Sequence, residues 1–427
     1  METKTNERLS VENFAGMRHV VLDIGRLNLL IGPQATGKSV CAKLLYFFRT
    51  FDKQIVQAAM EGKSKREFKD IMTGVFCDCF PEHSWPSGPF RIQYKSNGSS
   101  FRISRKAGTK SVLAFQCPTE FNDLYEVLLD KARERRSAEG ADAERDRFMT
   151  YATMENMVKA KVGGGRPINQ YFVPAGRSFF LALQGSIFSV LASNSVNISD
   201  PFLLSFGALY ERARNLSVRS QLYRSASNAG VEPDTFERLI QGILKGRYMR
   251  EENEDILVSE DGRKVRVANA SSGQQAALPL VLILRYLCVA SVQDGGVLYV
   301  EEPEAHLFPT SQRNMVELLA TVYNTSRSTG LQLIVTTHSP YILTAFNNLI
   351  QAGILAQELR MKKDLLKLHK IVPAEYTLLP SDFSAYSLVE GEAHNLMDKK
   401  TGLMLADVVD QVSDDLAEEF HRLLELV

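Results

Sequence analysis

The chain reads Gly32-Pro33-Gln34-Ala35-Thr36-Gly37-Lys38-Ser39, which fits the pattern G-x-x-x-x-G-K-[ST] in full. An apolar run over residues 27–31 precedes this stretch, and apolar residues at helical spacing follow it. A strand before and a helix after are the context that a phosphate-binding loop requires. The glycines let the loop turn its N–H groups towards phosphate oxygens, and the helix N-terminus adds favourable partial charge. We therefore expect the whole stretch to contact a nucleotide, with Lys38 on the β- and γ-phosphates and Ser39 on Mg²⁺.

Two carboxylates follow a second apolar run. Residues 297–300 are typical of a buried strand, and Glu301 and Glu302 come directly after them. The carboxyl ends of strands are where open α/β sheets bind ligands. Adjacent side chains diverge, so we expect Glu301 to hold Mg²⁺ through water and Glu302 to orient or activate the attacking water. For an acidic pair taken alone, a solvated turn is the alternative.

A histidine ends a third strand-like run. Residues 331–336 are followed by Thr337-His338-Ser339-Pro340. A lone histidine is usually structural, but one at the end of a sheet strand beside a phosphate-binding loop can hydrogen-bond the γ-phosphate. We predict this second role for His338.

The segment Ala270-Ser271-Ser272-Gly273-Gln274-Gln275 precedes an apolar helical run, upstream of the two acids. Serine and glycine at a helix N-terminus make an anion site that has no phosphate of its own. Such a site makes sense if it caps the nucleotide held by another subunit, and we place Ser272, Gly273 and Gln274 there. The alternative is a simple N-cap by Ser271 or Ser272.

These blocks in this order, GPQATGKS, SSGQQ, VLYVEEPEAHLFP and VTTHSP, resemble the heads of ABC-type ATPases. Within them the chain is similar to the branch that holds RecF, the SMC-type chromosome and break-repair proteins and the OLD-family ATPases. The opening residues 11–16, VENFAG, also look like that branch. The resemblance covers residues 8–50 and 265–345. It implies an α/β fold with a mixed or parallel sheet core, an antiparallel subdomain, a helical insertion and a small C-terminal extension.

The resemblance also implies roles for single residues. Ser272 and Gly273 would contact the γ-phosphate across a head-to-head dimer, Glu302 would be the hydrolytic residue, and His338 would be the switch histidine. ATP and Mg²⁺ are the implied cofactors. Glu301 departs from the aspartate usual in ABC transporters, and the EEPEAHL form looks more like OLD-like and defence ATPases.

The order of the blocks suggests four regions. They are an N-terminal ATPase lobe over 1–117, a helical insertion over 118–250, a C-terminal ATPase lobe over 251–350 and an extension over 351–427. The first part of the insertion reads as an exposed helix with many charges. The extension is a candidate surface for a partner.

A Q-loop-like segment lies near residues 170–178. Gln170-Tyr171-Phe172-Val173-Pro174-Ala175-Gly176-Arg177 resembles the P-A-x-R segment of stand-alone defence ATPases. Two interpretations of Arg177 stay open: a contact to phosphate or to a partner subunit, or a surface arginine after a strand.

Composition excludes several classes of protein. The 427 residues include 50 basic and 50 acidic ones, which disfavours nucleic-acid binding by bulk charge. No apolar run reaches the ~18 residues of a membrane span, and no secretory signal is evident, so we expect a cytoplasmic protein without membrane contact. Residues 388–392 resemble the opening strand of a Toprim nuclease domain. No Asp-x-Asp metal pair follows, and the acids near the C-terminus fit a solvated helix face, so no intrinsic nuclease is expected.

Two functions remain. The first is an ATPase of prokaryotic anti-phage defence, as in PARIS-type abortive-infection systems. It would form a dimer or higher homo-oligomer and act as sensor or scaffold for a separate effector such as a Toprim nuclease. The second is a RecF-like DNA repair ATPase, with DNA as partner and with candidate contacts at Lys63, Lys65, Arg66, Arg133, Arg135 and Arg136. The same basic residues also fit a solvated helix face. An ABC transporter subunit is least favoured, because the signature reads SSGQQ rather than LSGGQ.

Overall fold

The computed structural model describes most of the chain. The described residues are 7–106, 113–137, 143–163, 169–179, 200–215, 233–251, 254–289, 296–327, 329–405 and 418–422. Most of the acidic helix expected near the C-terminus lies outside these residues. None of the described helices has the length and apolar character needed to cross a bilayer.

The secondary-structure elements alternate along the chain. The strands are β1 (Glu7–Phe14), β2 (Met17–Ile24), β3 (Leu27–Ile31), β4 (Phe90–Ser96), β5 (Ser99–Arg105), β6 (Leu113–Gln116), β7 (Asn169–Val173), β8 (Arg247–Glu251), β9 (Glu254–Val258), β10 (Lys264–Arg266), β11 (Gly296–Glu301), β12 (Gln332–Thr337), β13 (Phe383–Val389) and β14 (Glu392–Asn395). The α-helices are α1 (Lys38–Met60), α2 (Lys65–Cys79), α3 (Phe121–Ser137), α4 (Ala143–Val158), α5 (Pro201–Asn215), α6 (Pro233–Leu244), α7 (Ser272–Val289), α8 (Pro309–Thr325), α9 (Pro340–Glu358) and α10 (Lys362–Ile371).

Eleven of the described strands form one sheet, in the order β6-β5-β4-β1-β2-β14-β13-β3-β12-β11-β7. The run from β13 to β7 is parallel throughout. The run from β6 to β2 is antiparallel. The predicted α/β class, with a parallel core and an antiparallel part, is therefore confirmed.

Burial along the strands explains this division. Every residue of β3, β11 and β12 is buried, as expected for parallel strands that helices cover on both faces. β4 instead alternates between buried and more exposed residues. The turn between β4 and β5 has Asn97 at φ 47° and Gly98 at φ 90°, which is the hairpin that the Asn-Gly pair predicts.

Helices cover both faces of the sheet and enclose two apolar cores. One core holds α1 to α4, and the other holds α5 to α9. α3 buries Phe121, Leu124, Tyr125 and Leu128, which recur at the spacing of one helix face. The charged residues of this segment predict an exposed helix. That prediction is wrong for this face, because the charged residues lie only on the rest of the helix.

The C-terminal part of the chain supplies two strands to the middle of the sheet. β13 pairs in parallel with β3, with Ser387 opposite Ile31. β14 reaches β2, with Glu392 opposite His19. Residues 388–392, which resembled a Toprim strand, thus span the end of β13, the turn after it and the first residue of β14 in the main sheet. β7 also lies in this sheet, beside β11, although its residues fall within the expected helical insertion.

A buried polar cluster joins the antiparallel and parallel parts of the sheet. Arg49 of α1 is 2% exposed, and its Nε and Nη2 donate to the two carboxylate oxygens of Glu7 at 2.9 and 2.7 Å. Arg49 also donates to the Tyr299 hydroxyl at 2.9 Å and to Oε1 of Gln332 at 2.6 Å. One side chain on α1 therefore ties β1 to β11 and β12.

Replacing Arg49 with methionine should destabilise the fold strongly. The substitution leaves the buried Glu7 carboxylate without its cation, and breaking a buried pair in this way costs about 3–5 kcal/mol. Urea unfolding followed by circular dichroism measures the effect. The control is Arg8→Ala, which removes the pair between Arg8 and Asp23, whose side chains are 52% and 59% exposed, and should cost about 0–1 kcal/mol. Equal losses in the two variants would contradict the role of the cluster.

Candidate functional site

The phosphate-binding loop, the acidic pair and His338 lie at one edge of the sheet because three strands run in parallel. Leu30 of β3 lies opposite Thr336 of β12, and Thr336 lies opposite Glu301 of β11. The residues that follow each strand therefore emerge side by side. This is the arrangement expected from the sequence.

Left-handed backbone shapes the loop between β3 and α1. Gly32 has φ 146° and Gly37 has φ 97°. A Cβ on Gly32 would lie 2.3 Å from the carbonyl oxygen of Leu388 in β13. Glycine is therefore required at Gly32 both by its dihedral angle and by the close approach of β13.

The tip of the loop faces solvent. Pro33, Gln34 and Ala35 are exposed, and Ala35 adopts φ 60°. The Thr36 hydroxyl donates to the Pro33 carbonyl at 3.0 Å, which closes the turn. The backbone around these residues is therefore accessible to a ligand in solution.

Lys38 points back over the loop. Its Nζ donates to the carbonyl oxygens of Gly32 at 2.8 Å and Pro33 at 2.6 Å. Burial lowers the pKa of Lys38 to about 8, although Glu302 and Glu304 oppose that shift. The amine is therefore held at the mouth of the loop by weak acceptors, which phosphate oxygens could replace.

A chain of three side chains connects the loop to the acidic pair. Lys38 Nζ lies 3.3 Å from Nδ1 of His338, and Nε2 of His338 lies 3.1 Å from Oε1 of Glu302. Because a lysine ammonium can only donate, Nδ1 accepts, and the proton of the neutral ring is on Nε2, from which it is donated to Glu302. His338 thus links Lys38, which is expected to contact phosphate, to the carboxylate expected to act on water.

Glu304, which is not among the residues predicted from sequence, holds His338 in place. Its Oε1 accepts from the backbone N–H of His338 and from the Thr337 hydroxyl, both at 2.7 Å. The second oxygen, Oε2, is buried and has no hydrogen-bond partner among the described residues. The only sequence signal for this contact is the second acid of the pattern Glu302-Pro303-Glu304. The contact itself is not visible in the sequence, because Thr337 and His338 belong to a different strand end.

Glu302 sits in a conformation that is unusual for a non-glycine residue. Its φ is 44°, and its N–H donates to the carbonyl of Thr336 at 2.9 Å. A left-handed residue directly after a buried strand turns its side chain away from the direction the strand would give it. Such backbone strain clusters at functional sites.

Glu301 is buried beside Ser39 and fits a cation site. One oxygen accepts from the Ala175 N–H at 3.1 Å, and the other, Oε1, has no hydrogen-bond partner among the described residues. Burial raises the pKa of Glu301, and Lys43, the Ala175 N–H and the Ser39 side chain partly offset this shift. A cation would stabilise the ionised carboxylate. Mg²⁺ needs only one or two protein ligands besides water and phosphate, which Glu301 and Ser39 can supply.

Arg177 lies neither on the surface nor towards the loop, so both earlier interpretations are wrong. The side chain is fully buried. Its guanidinium donates to four backbone carbonyls, those of Ala276 at 2.6 Å, Glu301 at 2.8 Å, Glu302 at 2.9 Å and Pro174 at 3.3 Å. Burial lowers its pKa to about 10 despite the nearby carboxylates. Arg177 therefore fastens the end of β11 to α7 and to the turn after β7.

The signature serines lie at the N-terminus of α7, as predicted. Ser271 and Ser272 are exposed. Ser271 forms a reciprocal cap with Gln274, whose Oε1 accepts from the Ser271 N–H at 3.1 Å, so the structure also contains the simple N-cap. The Gln274 side-chain amide donates to the backbone carbonyl of Leu244 at 2.8 Å, so it is already hydrogen-bonded within this chain.

Gly273 is fixed by contact with the segment that follows the two acids. A Cβ on Gly273 would lie 2.6 Å from the carbonyl oxygen of His306, so only glycine allows this approach. The exposed N-terminus of α7 and the turn after β11 thus form one surface. Phe308, at the end of that turn, is 73% exposed.

Gln170, at the start of the Q-loop-like segment, uses both ends of its side-chain amide in hydrogen bonds within the fold. Its Oε1 accepts from the Tyr299 hydroxyl at 2.8 Å, and its amide donates to the Tyr46 carbonyl at 3.3 Å. The residue pairs with Val297 near the beginning of β11, away from the edge that carries Glu302. The segment contributes to the site through Ala175 and Arg177 instead.

Replacing Arg177 with alanine should lower the free energy of unfolding by about 3 kcal/mol or more, because several buried carbonyls lose their donor at about 1–3 kcal/mol each. Chemical unfolding measures the change. The control is Arg313→Ala, whose side chain is 67% exposed and pairs with Glu317 on the same helix. A stability of Arg177→Ala equal to that of the control would contradict the buried bonding role.

Comparisons with known proteins gave one family match and similarities to solved structures. A family model described as an AAA ATPase domain matches residues 208–343. No curated protein matches the chain. Among solved structures, the chain is similar to the SMC head domain from Thermotoga maritima, at 13% identity, a TM-score of 0.35 and coverage of 92% of this chain and 98% of that chain. It is also similar to the recombination mediator protein RecF-ATPrS in the RecFOR pathway, at 12% identity, a TM-score of 0.30 and the same coverage.

The matched residues 208–343 include the signature helix, both acids and His338. The phosphate-binding loop lies outside the match, at the adjacent end of β3. Residues 208–343 therefore match an AAA ATPase domain, and the shared sheet edge places the loop from Gly32 to Ser39 beside these matched residues.

Proposed function

We propose that this chain binds ATP with Mg²⁺, hydrolyses it between two copies arranged head to head, and uses the cycle to control a separate effector. The observation that carries the proposal is the side-chain connection from Lys38 through His338 to Glu302. It joins a phosphate-binding group to a carboxylate that can act on water. A structural cluster would not need all three at the open edge of a parallel sheet.

The residues around Glu301 are suited to hold the metal. Ser39 and Glu301 would supply its protein oxygens, and the Ala175 N–H keeps the carboxylate oriented. Mg²⁺ when bound would neutralise charge on the phosphates. Arg177 keeps the backbone of Glu301 and Glu302 in position while this occurs.

Glu302 is suited to take a proton from water. Its carboxylate accepts a hydrogen bond from His338, which fixes its orientation. Lys38 would exchange its contacts with the carbonyls of Gly32 and Pro33 for phosphate oxygens. His338 Nδ1 would then lose its lysine donor, so occupancy of the loop changes what holds Glu302 in place.

A second copy would complete the site through Ser272 and Gly273. Both lie at the N-terminus of an 18-residue helix, where N–H groups attract anions. Exposed Ser271 and Ser272 and the exposed Phe308 ring belong to one surface that a partner could cover. ATP-dependent closure of two heads would supply the conformational change.

The role in anti-phage defence rests on the resemblance of the PAGRS and EEPEAHLFP segments to defence ATPases. An effector such as a Toprim nuclease would then be a separate protein, as in PARIS-type systems. α10 and its N-cap residue offer a surface for it, because Ile371 is 72% exposed and Met361, the N-cap, is 62% exposed. The RecF-like alternative would use DNA as partner. Retention of a co-expressed effector on the ATP-bound protein distinguishes the two.

Lys38→Ala should lose ATP binding, because the loop loses its only lysine ammonium at the phosphates. Glu302→Gln should bind ATP with Mg²⁺, stop hydrolysis and accumulate as a dimer. Equilibrium binding, phosphate release and mass photometry give the three readouts. The control is Glu82→Gln, which alters an exposed acid on a remote 3₁₀ turn. ATP affinity in Lys38→Ala equal to wild type, or unchanged turnover in Glu302→Gln, would contradict the assigned roles.

ATP affinity should fall as the pH rises above about 8. The pKa of Lys38 is lowered to about 8 in the free protein, so above that value a growing fraction is neutral and attracts phosphate weakly. The loss approaches tenfold per pH unit, or about 1.4 kcal/mol. Titration with a fluorescent ATP analogue from pH 7 to 9.5 measures it. Lys38→Arg keeps its charge over this range and should show a flat profile; a wild-type profile equally flat would contradict the assignment.

A further inference from the structure

Two basic clusters far apart in the sequence line a single cavity. Its volume is about 540 Å³. Lys63 comes from the turn between α1 and α2, Lys65 and Arg66 come from the first turn of α2, and Arg133 and Arg136 come from the end of α3. The sequence alone showed two separate candidates for a solvated face. The fold converts them into one concave site.

The cavity lies far from the phosphate-binding loop. Lys38 begins α1 and Met60 ends it, and 23 residues of α-helix span about 33 Å. The lining residue Gly62 follows directly after that end. A ligand here is therefore independent of the candidate ATP site.

The walls of the cavity are held by backbone hydrogen bonds. The N–H of Lys63 donates to Ala58 and that of Gly62 to Ala59, which closes the end of α1. Ser64 and Glu67 cap α2 reciprocally, and the Tyr125 hydroxyl donates to the Lys63 carbonyl at 3.0 Å. These contacts fix the turn without using the basic side chains.

Glycine allows one arginine to reach over the turn. Gly62 has φ 74°, and a Cβ there would lie 2.8 Å from Nη1 and Nη2 of Arg136. The guanidinium therefore lies against the turn that carries Lys63. This contact brings α3 and the α1–α2 turn together around the cavity.

The lining has a net positive charge. Five basic residues face two acids, Glu67 and Glu126. Lys65 pairs with Glu126 at 2.8 Å. In the part of the chain that the structure describes, Lys63, Arg66 and Arg136 take part in no ion pair. Hydrogen bonds with Ser64 lower the pKa of the Glu67 carboxyl group, and Lys63 lies close enough to help lower it. Among the described residues, Arg66 and Arg136 have no carboxylate partner, so an anion from solution is their complementary ligand.

We propose that this cavity binds a small phosphate-bearing ligand of nucleotide size, at a second site separate from the ATP site. The volume lies within the range of about 300–1,000 Å³ typical of small-molecule sites. Arginine and lysine together are the usual ligands of phosphate oxygens. The two acids in the lining and the zero net charge of the chain favour a compact ligand over the long backbone of a nucleic acid.

The test uses inorganic tripolyphosphate as probe and the full-length Lys38→Ala protein, in which the phosphate-binding loop is disabled. Isothermal titration calorimetry should show one remaining site. Adding Arg66→Ala should weaken that site about tenfold, and adding Arg136→Gln should do the same. Adding Lys69→Ala is the matched control, because Lys69 is exposed on the same helix as Arg66 but does not line the cavity. The control should bind the probe as the Lys38→Ala protein does.

Three results would overturn the proposal. The first is no tripolyphosphate binding by the Lys38→Ala protein while its melting temperature matches wild type. The second is equal affinity with Arg66→Ala and Lys69→Ala. The third is tighter binding of a single-stranded 20-nucleotide DNA than of tripolyphosphate, with a steep salt dependence and a loss in Arg66→Ala, which would assign the cavity to a nucleic-acid backbone. The outcome does not depend on ATP hydrolysis, so failure here leaves the proposed function standing.

Discussion

Parallel pairing of β3 with β12, and of β12 with β11, is the constraint on which the candidate site depends. It places the loop after β3, His338 after β12 and Glu302 after β11 at the same edge. The three strands are buried on both faces, which fixes the pairing firmly. A slip of one residue would turn every side chain to the other face and separate Lys38, His338 and Glu302.

The parts of the site predictable from sequence are those encoded by neighbouring residues. The loop Gly32 to Ser39, the acidic pair and His338 each follow an apolar strand, so local pattern was enough to place them at the sheet edge. The contacts of Arg177, Glu304 and β13 depend instead on residues brought together by the fold. A buried arginine bonded to four carbonyls has the same sequence appearance as a surface arginine after a strand. The prediction that α3 is exposed is wrong for a related reason. Its charged residues occupy one part of the helix surface, and its apolar residues form a separate face that the fold buries.

Two buried arginines do comparable work in different parts of the molecule. Arg49 binds a carboxylate and two polar side chains, and so connects a strand of the antiparallel part of the sheet to two strands of the parallel part. Arg177 binds only backbone carbonyls, and so connects loop ends around the candidate site. Both satisfy polar groups that would otherwise be buried without partners. The planar guanidinium, with five donors in fixed directions, suits such junctions better than a lysine ammonium.

The position of β13 has a consequence for synthesis on the ribosome. β3 and the loop after it are synthesised well before β13, the strand that pairs with β3 and packs against Gly32. At about 5–20 residues per second, the interval between Ile31 and Leu388 is roughly 20–70 s. During that time β3 has an open edge facing the nascent chain's surroundings. The loop after β3 therefore takes its final shape only after translation has passed Leu388, and a chain interrupted before β13 carries the loop sequence without its complete wall.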